Sequence, residues 1–144
     1  MIADTGPLLA AVDRRDPAHG LARALVAALR RELLVLESVA LETDHLLRKR
    51  SGIGAARGFL RALAAGEHTP VFMSPGLLRR AVELDDTFAD LDLGLADASV
   101  MAYAERHDLP ILTFDFADFR AAKPKRGYWR LVVDERRYGD AVSR

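Results

Sequence analysis

Apolar residues recur along the chain in two rhythms, short unbroken runs and stripes spaced three or four apart, and their alternation predicts strands alternating with helices. The runs are Met1 to Ala3, Leu33-Leu-Val-Leu36, Val71-Phe-Met73, Ile111-Leu-Thr113 and Leu131-Val-Val133. Each is as short and as uniformly apolar as a strand buried on both faces. Between them, Leu21, Leu25 and Leu29 repeat every four residues through an Ala-rich stretch, and Phe59 and Leu63 do so between Ala55 and Ala65. Asp97, Val100, Met101 and Ala104 fall at i, i+3, i+4 and i+7, which puts an acid on the apolar stripe of one helical face.

Punctuation residues set the boundaries. Thr5-Gly6-Pro7 follows the first run, with Pro suited to the first helical position and Thr or Asp to the cap, so a short helix begins there and forms a hairpin with the helix through Leu29. Ser38 is placed to cap a helix that runs to about Arg50, and Gly52-Ile-Gly54 separates it from the next. Pro75 opens a helix to about Asp86, and Pro110 ends the one that carries Asp97. The segment from Phe119 to Arg130 is turn-rich and basic, and residues from Asp134 onward form a polar tail. The order predicts one α/β domain over residues 1–144, with helices covering both faces of a mostly parallel sheet of four to five strands.

Composition narrows the classes. With 144 residues, half of them apolar, the chain has material for one core and not for two ordinary domains. No run approaches the roughly 20 apolar residues of a membrane span, and the first residues have neither the basic start nor the apolar centre of a signal peptide. There are no cysteines, which excludes disulfides, thiolate metal sites and cysteine nucleophiles. A cytoplasmic protein without a membrane partner is expected. Lys plus Arg and Asp plus Glu number 21 each, so any surface for nucleic acid must be local.

Four acids take comparable places in this scheme. Asp4 closes the first strand, Glu42 lies in the first turns after the second, Asp97 opens the central helix, and Asp115 follows its strand. In open α/β sheets, ligands bind beyond the carboxyl ends of the strands. Each acid also has an ordinary reading: Asp4 and Asp97 as helix caps, Glu42 as a solvated helix acid on the border of the stripe marked by Val39 and Leu46, and Asp115 with Asp118 as an Asx turn. Together they are less ordinary, because carboxylates gathered at one edge resist ionising together and a hard, oxygen-seeking cation relieves that. With carboxylates and hydroxyls as the donors on offer, magnesium or manganese fits better than zinc.

Asp4-Thr-Gly-Pro-Leu-Leu-Ala, Leu41-Glu-Thr-Asp-His-Leu-Leu, Gly94-Leu-Ala-Asp-Ala-Ser and Leu112-Thr-Phe-Asp-Phe-Ala-Asp-Phe resemble the four signature segments of PIN domains, most closely the VapC-type toxin ribonucleases. The resemblance implies an α/β/α sandwich and magnesium-dependent hydrolysis of RNA leaving 5'-phosphate and 3'-hydroxyl ends. It also implies a metal site of Asp4, Asp97 and Asp115 with Glu42 completing the shell or orienting water, and a homodimer paired with a VapB-type antitoxin. Thr5 and Thr113 match polar positions flanking that site, and Asp118 matches a second acid in the fourth segment. Gly6-Pro7 stands where Ser or Asn followed by a small residue is more usual, and Gly94 where some members carry an acid.

For RNA contacts the chain offers Arg120, Lys123, Lys125, Arg126 and Arg130 around Tyr128 and Trp129, with an aromatic cover for the core as the plainer reading of the two rings. A second cluster, Arg48-Lys49-Arg50 with Arg57, ends a helix where cations are favourable in any case. The four histidines lack metal spacing. Two other classes compete with the nuclease reading. A receiver-like signalling domain would want paired acids after the first strand and a Lys after the last, and a non-catalytic protein-binding domain would use the acids as caps alone.

Overall fold

In the computed structural model, which describes residues 1–144, the apolar runs become strands and the striped segments helices. β1 (Ile2–Ala3), β2 (Leu34–Leu36), β3 (Thr69–Val71) and β4 (Ile111–Leu112) form one parallel sheet in the order β3-β2-β1-β4. Ile2 pairs with Leu34 on one side and Ile111 on the other, and Leu36 pairs with Val71. Eight helices, α1 (Thr5–Val12), α2 (His19–Leu29), α3 (Glu37–Arg50), α4 (Ile53–Ala64), α5 (Pro75–Thr87), α6 (Gly94–His107), α7 (Phe116–Ala121) and α8 (Glu135–Val142), complete an α/β/α sandwich. None is long and apolar enough to cross a membrane.

The chain moves from β1 outward to β2 and β3, then crosses back to place β4 on the other flank of β1. The strand order therefore reverses at β1, and the crevice this opens beyond the strand ends is where such sheets take ligands. Ile2, Val35, Leu36, Ile111 and Leu112 are fully buried beneath it, with Met101 of α6 packed among them. Truncating Met101→Ala is expected to cost about 2–5 kcal/mol in a urea titration, because the void left by a fully enclosed side chain closes only partly.

Several boundaries differ from the sequence reading. The third strand is Thr69–Val71 and not Val71–Met73, and Phe72 is 74% exposed. β3 is an outer strand with nothing paired beyond it, unlike β4, which is bridged to Leu131, and so it tolerates Pro70 and lacks the buried apolar pattern of the other strands. The run Leu131–Val133 makes a single bridge, to Ile111, so the sheet has four strands. α1 begins at Thr5, two residues before Pro7, with Asp4 as its cap, and α4 begins at Ile53 behind Gly52, whose φ of +93° suits only glycine.

Ser38 does not cap α3. The cap position is Leu36, two residues earlier, and the Ser38 hydroxyl is buried against Ser99 of α6 at 2.7 Å. The polar segment after Val133 folds as α8, capped by Asp134, whose Oδ1 accepts from the Arg137 N–H. Tyr138 packs on Phe114 and Phe116, with ring centroids 4.8 and 5.5 Å away. Tyr138, Ala141 and Val142, at i, i+3 and i+4, are the weak stripe that marks this helix in the sequence.

Candidate metal centre

β1 ends on Asp4, whose backbone N–H still donates into the sheet, to Leu112 O at 2.9 Å. Its side chain is only 4% exposed, yet both oxygens are matched: Oδ1 accepts from Thr5 N–H and Oδ2 from the Thr113 hydroxyl, each at 2.7 Å. Thr113 in turn accepts from the Asp115 N–H at 3.0 Å. One buried hydroxyl thus ties the carboxylate after β1 to the backbone after β4. The neighbouring Thr5 donates through Oγ1 to Oε2 of Glu42, on α3, at 2.6 Å.

Asp97 sits in the first turn of α6 but does not cap it; the cap position is Leu93. Its half-buried carboxyl is pushed up to about 8, first by burial and then by the neighbouring charges of Asp4, Glu42 and Asp115. Burial also raises Asp4 despite its hydrogen bonds, and raises Asp118, where the charge of Asp115 adds to the effect. Asp115 caps α7 by accepting from Asp118 N–H at 3.0 Å. The cap and Asx-turn readings of Asp4 and Asp115 therefore hold as geometry, and they hold the same two side chains at the cluster.

Asp97, Asp115 and Asp118 each present a carboxylate oxygen such that all three lie within 4.8 Å of one another. Asp4 stands behind them in contact with Asp97. Glu42 is exposed at the margin. All five acids thus meet at one edge of the sheet, with Asp118, expected as a flanking acid, inside the tightest group. An all-oxygen donor set suits a hard divalent cation. The raised Asp97 makes the same point electrostatically: without compensating positive charge, this group holds its proton at neutral pH.

Sequence reasoning missed the Ser38–Ser99 bond, which pins the helix of Glu42 to the helix of Asp97; Ser99 also donates to Ala96 O at 2.9 Å. No local pattern announces a hydroxyl pair formed across 61 residues. The basic candidates fall elsewhere. Arg120 pairs with Glu135 at the start of α8. Lys125 N–H donates to Glu105, eight residues along α6 from Asp97, about 12 Å at the rise of a helix. Trp129 covers the core as expected, donating through Nε1 to Ala122 O and meeting Phe119 edge-on at 6.4 Å, whereas Tyr128 is 81% exposed. The requirements of a receiver-like site are not met: Asp4 stands alone after β1, and the residues after Val133 cap and begin α8.

The sequence pattern of the PIN domain matches residues 1–124. Ribonuclease VapC26 of Mycobacterium tuberculosis is 31% identical over 128 residues, covering 88% of this chain and 95% of the relative. Among solved structures, the crystal structure of M. tuberculosis VapC20, described as a Sarcin-Ricin loop cleaving toxin, superposes with a TM-score of 0.77. That match covers 90% of this chain and 97% of the other at 23% identity, and shows the shared fold.

Proposed function

The chain belongs to the PIN domain family and is homologous to VapC-type ribonucleases, and from that premise we propose that it is a magnesium-dependent endoribonuclease, the toxin of a VapBC-type pair acting in the cytoplasm. The observation that carries this reading is the convergence of Asp97, Asp115 and Asp118 within 4.8 Å beside a buried Asp4, with Asp97 raised to about 8. Asp4, Asp97 and Asp115 would hold Mg2+ or Mn2+, and Asp118 stands close enough to join them. When bound, such an ion lowers the pKa of water and offsets the charge that develops on a phosphodiester under attack.

The protein's own groups supply the positioning. Thr113 fixes the Asp4 carboxylate and the Asp115 backbone relative to each other through a single oxygen. Thr5 holds Oε2 of Glu42, which leaves Oε1 to orient the attacking water from the exposed margin. On this reading the chain pairs with a VapB-type antitoxin and with a second copy of itself, which the likeness to VapC-type ribonucleases supports. A groove of 1080 Å³ between α1, α2 and α4 is lined by the apolar Leu8, Val26, Leu29 and Phe59 and by the charged Arg23, Arg30, Arg31, Glu32 and Glu67. It suits the apolar face of an antitoxin helix.

The test is incubation of the purified protein with total RNA at fixed salt, with Mg2+ or with EDTA, followed by mapping of the cut ends. Discrete cuts with 5'-phosphate and 3'-hydroxyl ends that cease in EDTA are expected. Cutting that continues undiminished in EDTA counts against the metal role of the acids.

A further inference from the structure

The loop from Lys123 to Arg130 leaves an aromatic ring and several cations without structural work. Trp129 is turned inward, but Tyr128 beside it projects into solvent with the Lys123 ammonium 5.8 Å from its ring centroid. Lys123, Lys125 and Arg126 enter no salt bridge. The acids nearest them are already engaged: Glu105 by the Arg80 guanidinium at 2.8 and 3.0 Å and by Lys125 N–H, and Asp108 by Arg130 at 3.0 Å. A cavity of 500 Å³ lies against the loop, lined by Lys125, Arg126, Tyr128 and Arg130 together with the two engaged acids, Glu105 and Asp108.

Its position relative to the acids is defined. Arg130 O accepts from Ile111 N–H at the start of β4, whereas Asp115 lies past the end of that strand. The loop is therefore at the opposite end of β4, and Glu105, which holds the Lys125 N–H, lies eight residues along α6 from Asp97, about 12 Å of helical rise. α7 joins the two, with Asp118 in its first turn and Arg120 in its last. A rise of that size is the length of about three or four stacked nucleotides at roughly 3.4 Å per step, so a strand leaving the acids needs only a few nucleotides to reach this end of α6.

We propose that this loop is an exosite for single-stranded RNA, in which Tyr128 stacks a base several nucleotides from the scissile phosphate while Lys123, Lys125 and Arg126 neutralise the intervening backbone. The assignment rests on the ribonuclease reading and extends it, since substrate affinity then depends on RNA length. An exposed ring offers a stacking face to any base, and unpaired cations release counterions from phosphates, so the contact tolerates many sequences.

The test measures binding of fluorescently labelled 4-mer and 20-mer single-stranded RNA of mixed sequence by anisotropy, in Mg2+ at several salt concentrations, with Asp97→Asn as the non-cleaving parent. The parent should bind the 20-mer more tightly than the 4-mer. Tyr128→Ala should weaken 20-mer binding roughly tenfold. Lys123→Gln with Lys125→Gln and Arg126→Gln should reduce the salt slope by about 2, at ~0.7 per lost phosphate contact. An unchanged melting temperature in each variant confirms that the fold is intact. Unchanged 20-mer affinity and salt slope in both variants would overturn the exosite alone, provided the wild-type protein cuts RNA. A wild-type protein that neither binds nor cuts RNA overturns the nuclease reading as well.

Discussion

Replacing Asp97 with Asn is expected to lower RNA cleavage by at least about a hundredfold while raising the thermal stability of the EDTA-treated protein at neutral pH. The two effects have one cause. Asp97 is an anion that the fold makes unfavourable, through burial and through Asp4, Glu42 and Asp115 around it, and a cation is what makes it useful. Asn keeps the shape and removes the charge.

The pH dependence has a definite sign. The carboxyl of Asp97 rises from an ordinary 3.8 to about 8 on folding, so its contribution to stability is fully present below pH ~4 and is lost as pH rises toward 8. Asp4 and Asp118 are shifted in the same direction. In EDTA the melting temperature of the variant should therefore exceed that of the wild type by a margin that opens between pH 4 and pH 8. Mg2+ or Mn2+ should then stabilise the wild type, by about 2.7 kcal/mol at a hundredfold excess over Kd, and the variant much less. A variant that melts with the wild type at every pH would show that neither burial nor the neighbouring acids disfavour the Asp97 charge in solution.

Thr113→Val is the second large effect, and it separates positioning from ligation. The hydroxyl is fully buried, donates to Asp4 Oδ2 at 2.7 Å and accepts from Asp115 N–H at 3.0 Å. Valine has nearly the same volume, so no cavity forms, but one carboxylate oxygen and one amide are left without their partner. At about 1–3 kcal/mol per buried unsatisfied group, a loss of roughly 2–4 kcal/mol is expected in denaturant titration. Losing this hydrogen bond also raises Asp4 further, since the Thr113 hydroxyl is the largest influence holding it down against burial. Cleavage should fall with it, through kcat. Thr113→Ser retains the hydroxyl and should recover most of both quantities; a serine variant as impaired as valine would assign the effect to the methyl group.

The alternation of buried runs and striped helices was legible because each strand is flanked by sheet neighbours or helices and each helix has one buried face, which imposes a period on local sequence. Ile111 and Leu112, with the Pro110 before them, are an example. β3 carries no such imprint because nothing pairs beyond it, whereas β4 is covered by the bridge to Leu131, and α8 reads as a tail because it has no fully buried residue and packs mainly through Tyr138 and Val142. The acids were legible as candidates, since each follows a strand or opens a helix. Their grouping was not: Asp118 entered as a flanking residue, yet its carboxylate stands within 4.8 Å of those of Asp97 and Asp115 because Asp115 caps the very helix that carries it.

By itself, the sequence determined the α/β alternation, the four candidate acids and their likeness to PIN domains, because these are properties of short segments and their order. Only the tertiary structure decided which acids share one hollow, that a single threonine hydroxyl couples two of them, that two serines lock the helices bearing two others, and that the basic loop lies at the opposite end of β4. Those are distances between segments up to 109 residues apart, set by the reversal of strand order at β1. No local pattern encodes such distances, since hydrogen bonding and charge repulsion act through space and not along the chain.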